Sequence, residues 1–234
     1  MAEFPRPPFT SRGLQAGAIG VWPLIPALAM YGVAFGVMAK TAGLSTLEAA
    51  FMSGWVHAGG AQMAALQGWA DPVPALAVCF TTLAMNARYL LLGATLRPWF
   101  SELPSYQSYP SLFVMGDGNW AMALREHSQG RDDAAFLLGS GLVMWTTWVS
   151  SSAAGHAFGQ LLSRPETWGL DFVLAAYFGT MSVAFLRATR DLFPLIVGVL
   201  TAIVFERLLP GAWYIGAGAL AGSMAGALRH DHAR

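Results

Sequence analysis

Charged residues are scarce in this chain: they make up 11% of its 234 residues, whereas a soluble domain carries about 25%. Acidic and basic residues number 13 each, so the net charge is zero and nothing points to a nucleic-acid partner. The single cysteine, Cys79, lies in an apolar run, which excludes disulfide scaffolds and cysteine-based metal sites. Hydrophobic residues reach 55%, with a mean hydropathy of +0.48. This composition predicts an all-α integral membrane protein.

Uncharged stretches divide the chain into seven hydrophobic segments, and a helix needs about 20 apolar residues to cross a bilayer. The segments lie at about residues 13–39, 49–70, 74–96, 134–163, 168–186, 193–209 and 211–228, and a short helix is expected over 111–127. We predict about six transmembrane helices plus one broken or re-entrant segment, forming a single membrane domain over residues 1–234. Residues 1–12 hold Arg6, Arg12 and no apolar core, so we expect a cytoplasmic tail there rather than a signal peptide.

The segment over residues 49–70 has no charged residue, yet its middle is polar. It contains Ser53, His57, the pair Gly59–Gly60, and Gln62, where a helix that only anchors would carry Leu, Ile or Val. Irregular backbone at membrane depth survives only against protein or a water-filled cavity. We expect the helix to break at the glycine pair, so that its free N–H and C=O groups line a solute path.

Small residues and one cap predict how the helices begin and pack. Glycines recur every four residues in the first and last segments, at Gly32 and Gly36 and at Gly218, Gly222 and Gly226. Such spacing lets two helix backbones approach closely. Ser45, followed three residues later by Glu48, fits a capping box at the start of the second segment.

Basic residues favour one topology. If residues 49–70 enter and leave on one side, most arginines face the cytoplasm, as the positive-inside rule requires, and both termini are cytoplasmic. If all seven segments span with the N-terminus inside, most basic residues face outward. A seven-span arrangement with the N-terminus outside accounts for the charges nearly as well.

Ionisable residues inside or beside the segments are candidates for gating or coupling. Arg88 lies two turns inside the third segment, where an unpaired charge is costly. It either snorkels to the surface, binds a substrate carboxylate, or forms an ion-pair gate with Asp117 or Asp171. Both acids precede apolar stretches and could equally cap helix N-termini. His57 suits a proton relay because an unperturbed histidine has a pKa of ~6.5, although a satisfied polar contact is the simpler interpretation.

The fourth segment carries one inward candidate face. Trp145, Trp148, Ser152 and His156 lie along one helical stripe. Trp148 could form an apolar wall for an aliphatic side chain, although aromatic residues in membrane helices are more often packing residues or interface anchors. Asn86, beside Arg88, is a further polar candidate for substrate binding.

Short motifs follow one another in order from the first segment into the fifth: Tyr31–Gly36, Gly43–Ser45, Gly59–Gln62, Asn86–Tyr89, Gly116–Asp117, Trp148 and Gly169–Phe172. Their order and spacing resemble the AzlC family, the large subunits of bacterial branched-chain amino acid exporters. The likeness covers about residues 20–186, and the last two segments fit by hydropathy only. Family members usually have Gly-Ala-Ala-Gln where this chain has Gly59–Gln62, and many have a histidine or similar residue in place of Tyr89.

The resemblance implies export of valine, leucine and isoleucine, with methionine as a further candidate, across the bacterial inner membrane. It implies a small AzlD-type membrane subunit as partner and the proton gradient as energy source; no cofactor is expected, and a higher oligomer is left open. The residues that we assign are substrate-binding Gly59, Gly60, Gln62, Asn86 and Trp148, and coupling or gating His57, Arg88, Asp117 and Asp171.

Two other functions compete with a transporter. A channel or a purely structural membrane subunit would need no coupling residue. An intramembrane hydrolase could use Ser53, Ser140 or Ser150–Ser152 with a histidine. No serine lies in a nucleophile motif and no His-Glu-x-x-His pattern occurs, so we do not expect an enzyme.

Overall fold

A computed structural model of the chain describes residues 7–69, 72–158, 192–208 and 213–231, together with positions 179 and 186. Regular structure in these ranges is α-helical, apart from a 3-10 turn at Trp22–Leu24. The helices are α1 (Ser11–Gly20), α2 (Ile25–Thr41), α3 (Thr46–Val56), α4 (Gly59–Gln67), α5 (Ala75–Asn86), α6 (Arg88–Phe100), α7 (Ser105–Phe113), α8 (Asp117–Ser128), α9 (Ala135–Phe158), α10 (Leu192–Leu208) and α11 (Trp213–Asp231). The predicted fifth segment, with Asp171, lies almost wholly outside the described residues.

Two stretches of the described chain are long and apolar enough to cross a membrane. Ser11–Thr41 comprises α1 and α2, and Ala75–Phe100 comprises α5 and α6. They coincide with the predicted first and third segments. The predicted fourth segment corresponds to α9, which is 24 residues long but is made more polar by its serines, threonines and glycines. By length and hydropathy, the described helices therefore supply two of the predicted spans.

Helix α9 is central, because α1, α2 and α3 all pack against it. Glycines bring the helices close together: a Cβ atom at Gly36 would overlap the Ser152 carbonyl, and one at Gly32 would overlap the Ser151 side chain. The predicted close approach at this glycine pair is thus confirmed, and its partner is α9. The four-residue spacing works because it repeats a small surface once per turn.

The C-terminal helices form a second tightly packed pair. A Cβ atom at Gly218 would lie 2.8 Å from the carbonyl oxygen of Gly198, and one at Gly222 would lie 3.1 Å from that of Pro194. The glycine face predicted for the last segment therefore packs within this chain, against α10.

Hydrogen bonds fix the start of α3. The predicted capping box is present: the Glu48 carboxylate accepts from the Ser45 backbone N–H at 2.7 Å, and the Ser45 hydroxyl accepts from the Glu48 N–H at 3.2 Å. Buried His156, on α9, donates from Nε2 to the Leu44 carbonyl at 2.6 Å and contacts the Thr46 hydroxyl through Nδ1 at 2.8 Å. Both ring nitrogens are thus used to hold this turn on α9.

The single helix expected over residues 111–127 is wrong. Helix α7 ends at Phe113 and α8 begins at Asp117, with Val114, Met115 and Gly116 between them. Gly116 is extended, at φ −127° and ψ 174°, so the two helices cannot be continuous. This interruption, the second in the chain, lies next to the first one, between α3 and α4. Trp55 near the end of α3 contacts Phe113 in an edge-to-face arrangement at 6.0 Å.

Candidate functional site

The first residues of three helices line one small cavity. They are Gly59 of α4, Arg88 of α6 and Asp117 of α8. The cavity measures about 40 Å³, which accommodates a few water molecules. The N-terminus of a helix carries a partial positive charge from unpaired N–H groups. The starts of α4 and α8, which follow non-helical residues, place two such ends beside the cavity, and the Asp117 carboxylate supplies negative charge there. Arg88 follows Ala87, which is itself helical, so α6 continues the direction of α5.

The first helix interruption lies at His57 and Ala58. His57 has φ 40° and ψ 39°, and it has the only positive φ of any non-glycine residue among the described residues. The left-handed region costs a residue with a Cβ about 1–2 kcal/mol, and such strain is typical of functional sites. The sequence placed this break at Gly59–Gly60; it lies two residues earlier, and Gly59 begins α4.

Helix α4 begins without a side-chain cap, because its N-cap residue is Ala58. The N–H groups of its first turn are therefore not satisfied by a capping side chain, and Gly59 and Gly60 line the cavity at this point. His57 lines the cavity as well, and its Nδ1 atom is buried without a hydrogen-bond partner among the described residues. This end of α4 thus presents donors and an imidazole to the cavity.

Arg88 and Asp117 form an ion pair across the cavity wall. The guanidinium Nη2 lies 3.1 Å from the carboxylate Oδ2, with side-chain exposures of 32% and 10%. Of the alternatives for Arg88, the geometry selects pairing with Asp117 over snorkelling alone. Asp117 does not cap α8 with its side chain, since Gly116 is the N-cap residue.

Aromatic side chains also line the cavity. The Trp148 ring lies 5.1 Å from that of Tyr31 and 5.9 Å from that of Phe35, and Trp148 is 2% exposed. A Cβ atom at Gly59 would lie only 2.7 Å from both the Trp148 and Tyr31 rings, so only glycine lets α4 begin against them. The indole Nε1 of Trp148 donates to the Gln62 side-chain oxygen at 3.0 Å.

The structure brings together six of the nine residues assigned from the sequence: His57, Gly59, Gly60, Arg88, Asp117 and Trp148 all line the cavity. Gln62 contacts Trp148 and is fully buried, and its Nε2 has no hydrogen-bond partner in the part of the chain that the structure describes. Asn86 ends α5 beside Arg88 without lining the cavity. Asp171 lies outside the described residues.

Sequence reasoning missed other members of the site. Leu28, Tyr31 and Met144 line the cavity, but periodicity cannot separate apolar lining from ordinary core. Asn119 is fully buried behind the second interruption. The sequence signal that could have revealed it is an asparagine three positions after Gly116.

The site has the parts to bind a small molecule with separated charges. It offers a cation and an anion, uncapped helix N–H groups, and an apolar wall of aromatic and aliphatic side chains. Across the described ranges, no group of three or more His, Cys, Asp or Glu residues is placed to hold a metal ion.

The chain is similar to known proteins over most of its length. Residues 23–162 match the family model described as AzlC protein. The branched-chain amino acid transport protein AzlC of Bacillus subtilis is 28% identical over 160 residues, which is 67% of this chain and 61% of that protein. An uncharacterized membrane protein of Archaeoglobus fulgidus is 26% identical over 212 residues, or 90% of this chain and 92% of that protein. No solved structure matches significantly.

Proposed function

Because the chain belongs to the AzlC family, we propose that it is a secondary transporter that exports the branched-chain amino acids valine, leucine and isoleucine, with methionine as a further candidate. The family is one of membrane transport proteins rather than enzymes, in agreement with the hydrophobic composition. The name of the Bacillus subtilis relative supports the substrate class. That relative aligns over about three fifths of its length, so the substrate and the outward direction are our proposal.

The Arg88–Asp117 pair, at 3.1 Å, carries this proposal. An amino acid is a zwitterion, with one anionic and one cationic group. If it enters between the two side chains, its carboxylate pairs with Arg88 and its ammonium with Asp117. One protein–protein ion pair is exchanged for two protein–substrate pairs, so no charge is left unpaired in a poorly solvated site.

The helix ends support the same orientation. Uncapped N–H groups at Gly59 and Gly60, together with the positive end of α4, favour a carboxylate. Transporters commonly use discontinuous helices in this way near the middle of the membrane. The substrate carboxylate would thus contact both the start of α4 and Arg88.

An apolar wall supports selection of an aliphatic side chain. Leu28, Tyr31, Met144 and Trp148 contribute apolar surface to the cavity lining. Branched aliphatic groups gain about 25 cal/mol for each Å² of apolar surface removed from water. A polar side chain would lose more hydration there than an aliphatic one.

The cavity of about 40 Å³ is too small for an amino acid. Substrate entry therefore requires the surrounding helices to separate. Such a conformational step is expected of a carrier that exposes its site to each side of the membrane in turn.

The energy source for transport and the partner subunit are also part of the proposal. We assign proton coupling to His57, whose buried Nδ1 has no hydrogen-bond partner in the described part of the chain. We propose the small AzlD-type subunit as the partner. Residues 49–70 re-enter rather than span, and both termini are cytoplasmic.

The test loads cells with a valine-containing dipeptide and measures valine efflux with and without the chain, the small subunit and a protonophore. We expect efflux that needs the chain and the subunit and that stops with the protonophore. Gly93→Ala serves as the expression control, because a Cβ at Gly93 meets open space.

Each contrary result would rule out a different part of the proposed function. Efflux equal to that of a deletion strain would rule out the exporter. Efflux that survives the protonophore would rule out proton coupling and would favour a channel, and efflux independent of the subunit would rule out the partner.

A further inference from the structure

Asn119 ties together three parts of the fold at the second helix interruption. Its side-chain oxygen accepts from the Gly116 backbone N–H at 2.7 Å. Its amide nitrogen donates to the Val114 carbonyl at 3.2 Å and to the Leu137 carbonyl at 3.3 Å. The residue is fully buried, and buried polar groups of this kind are costly to leave unpaired.

These hydrogen bonds determine where Asp117 lies. Val114 follows the last residue of α7, Gly116 is the N-cap of α8, and Leu137 belongs to α9. Asn119 thus anchors both sides of the interruption to the central helix. Asp117, the next residue after Gly116, is held at 3.1 Å from Arg88.

The first interruption is anchored differently. The Trp145 indole of α9 donates to the Gly54 carbonyl in the last turn of α3 at 2.8 Å, whereas the N-cap residue of α4, Ala58, makes no side-chain hydrogen bond. Within the described residues, Asn119 therefore holds both sides of the second break, and that break carries the acidic residue of the site.

We propose that Asn119 is a positioning residue that holds Asp117 at the place where the substrate ammonium binds. The inference rests on the proposed function and deepens it, since it assigns recognition of the amino group to a residue that does not touch the substrate. Only an amide serves, because the position requires one acceptor and a double donor on a short side chain. Aspartate cannot donate to the two carbonyls, and leucine can neither donate nor accept.

The test compares valine with 3-methylbutanoate, which keeps the carboxylate and the branched chain but lacks the amino group. Each compound is used to inhibit transport of radiolabelled valine in membrane vesicles that contain the full-length protein together with the small subunit. In the wild type, valine should inhibit more strongly than its analogue. In Asn119→Leu and Asn119→Asp, inhibition by valine should weaken about tenfold or more, because a charged hydrogen bond is lost, while inhibition by the analogue stays within about twofold.

Two further variants separate positioning from general damage. The double variant Asn119→Leu with Asp117→Asn should weaken inhibition by valine no more than Asp117→Asn alone does, since both substitutions act through the same carboxylate. Ser140→Ala is the control, because the buried Ser140 hydroxyl donates only to carbonyls within its own helix, those of Phe136 and Leu137. Ser140→Ala should leave inhibition by valine and by 3-methylbutanoate unchanged.

The outcomes are distinct. If valine does not inhibit in the wild type, the proposed function fails and this inference fails with it. If valine inhibits in the wild type but the Asn119 variants weaken both compounds equally, only the positioning role is overturned. Failure of both Asn119 variants to reach the membrane would assign the residue to fold stability alone and would also overturn the proposal.

Discussion

Neutralising the Arg88–Asp117 pair tests the site most directly. At 3.1 Å and an effective dielectric constant of about 20, the attraction between the two charges is roughly 5 kcal/mol. Water screens part of it, because the Arg88 side chain is 32% exposed. Arg88→Gln or Asp117→Asn alone leaves one charge unpaired. We therefore expect each single variant to lower the free energy of unfolding by about 2–3 kcal/mol.

The double variant separates stability from transport. With both charges removed, no unpaired charge remains, and the free energy of unfolding should return to within about 1 kcal/mol of the wild-type value. Transport should not return, because neither end of the zwitterion finds its partner. A loss of about 2–3 kcal/mol lowers the melting temperature by about 5–10 °C in a chain of this size, which is measurable on the detergent-solubilised protein.

The assay pairs thermal unfolding with valine efflux for both single variants and the double variant. Arg131→Gln is the control, since it removes the exposed ion pair with Glu126, and such a pair contributes about 0–1 kcal/mol. A double variant that exports valine at the wild-type rate would refute the assignment of this pair to substrate binding. Single variants as stable as the wild type would refute the energetic reasoning.

Three further substitutions test the walls of the cavity. Gly59→Ala should abolish efflux, because its Cβ would meet the Trp148 and Tyr31 rings at 2.7 Å. The control Gly93→Ala, whose Cβ meets open space, should raise the free energy of unfolding by about 0.5–1 kcal/mol. His57→Gly relieves the left-handed strain and should retain or raise the melting temperature while efflux falls; undiminished proton-driven efflux would show that the imidazole is not needed. Trp148→Phe leaves the buried Gln62 oxygen without its donor and should cost about 1–3 kcal/mol in the same melt, and adding Gln62→Leu should recover much of that loss.

Part of the candidate site could be anticipated from residue chemistry. An arginine inside an apolar segment is costly unless it snorkels or pairs, and the sequence left open snorkelling, a substrate carboxylate, and an ion pair with Asp117 or Asp171. Among the described residues Arg88 pairs with Asp117. Two members of the stripe predicted on α9 contact the broken segment, since Trp145 donates to the Gly54 carbonyl at 2.8 Å and Trp148 donates to the Gln62 side-chain oxygen at 3.0 Å.

The exact geometry of the breaks could not be anticipated. Local reasoning assigns a helix break to glycine because glycine tolerates positive φ. Here His57 takes that conformation, and Gly59 is needed instead for contact with two aromatic rings. The second break depends on a hydrogen bond from Asn119 to Leu137, 18 residues away. Such a non-local contact leaves no trace in local propensity.

The backbone-to-backbone packing of α1 and α2 on α9 limits how this protein can change shape. Where a Cβ at Gly17 or Gly36 would strike a carbonyl of α9, a shift of one helix along the other would drive main-chain atoms into each other. We therefore expect these three helices to move as one unit. In the proposed carrier, we expect opening to either side to involve α4 and α8, the short helices that begin just after the breaks at His57 and Gly116.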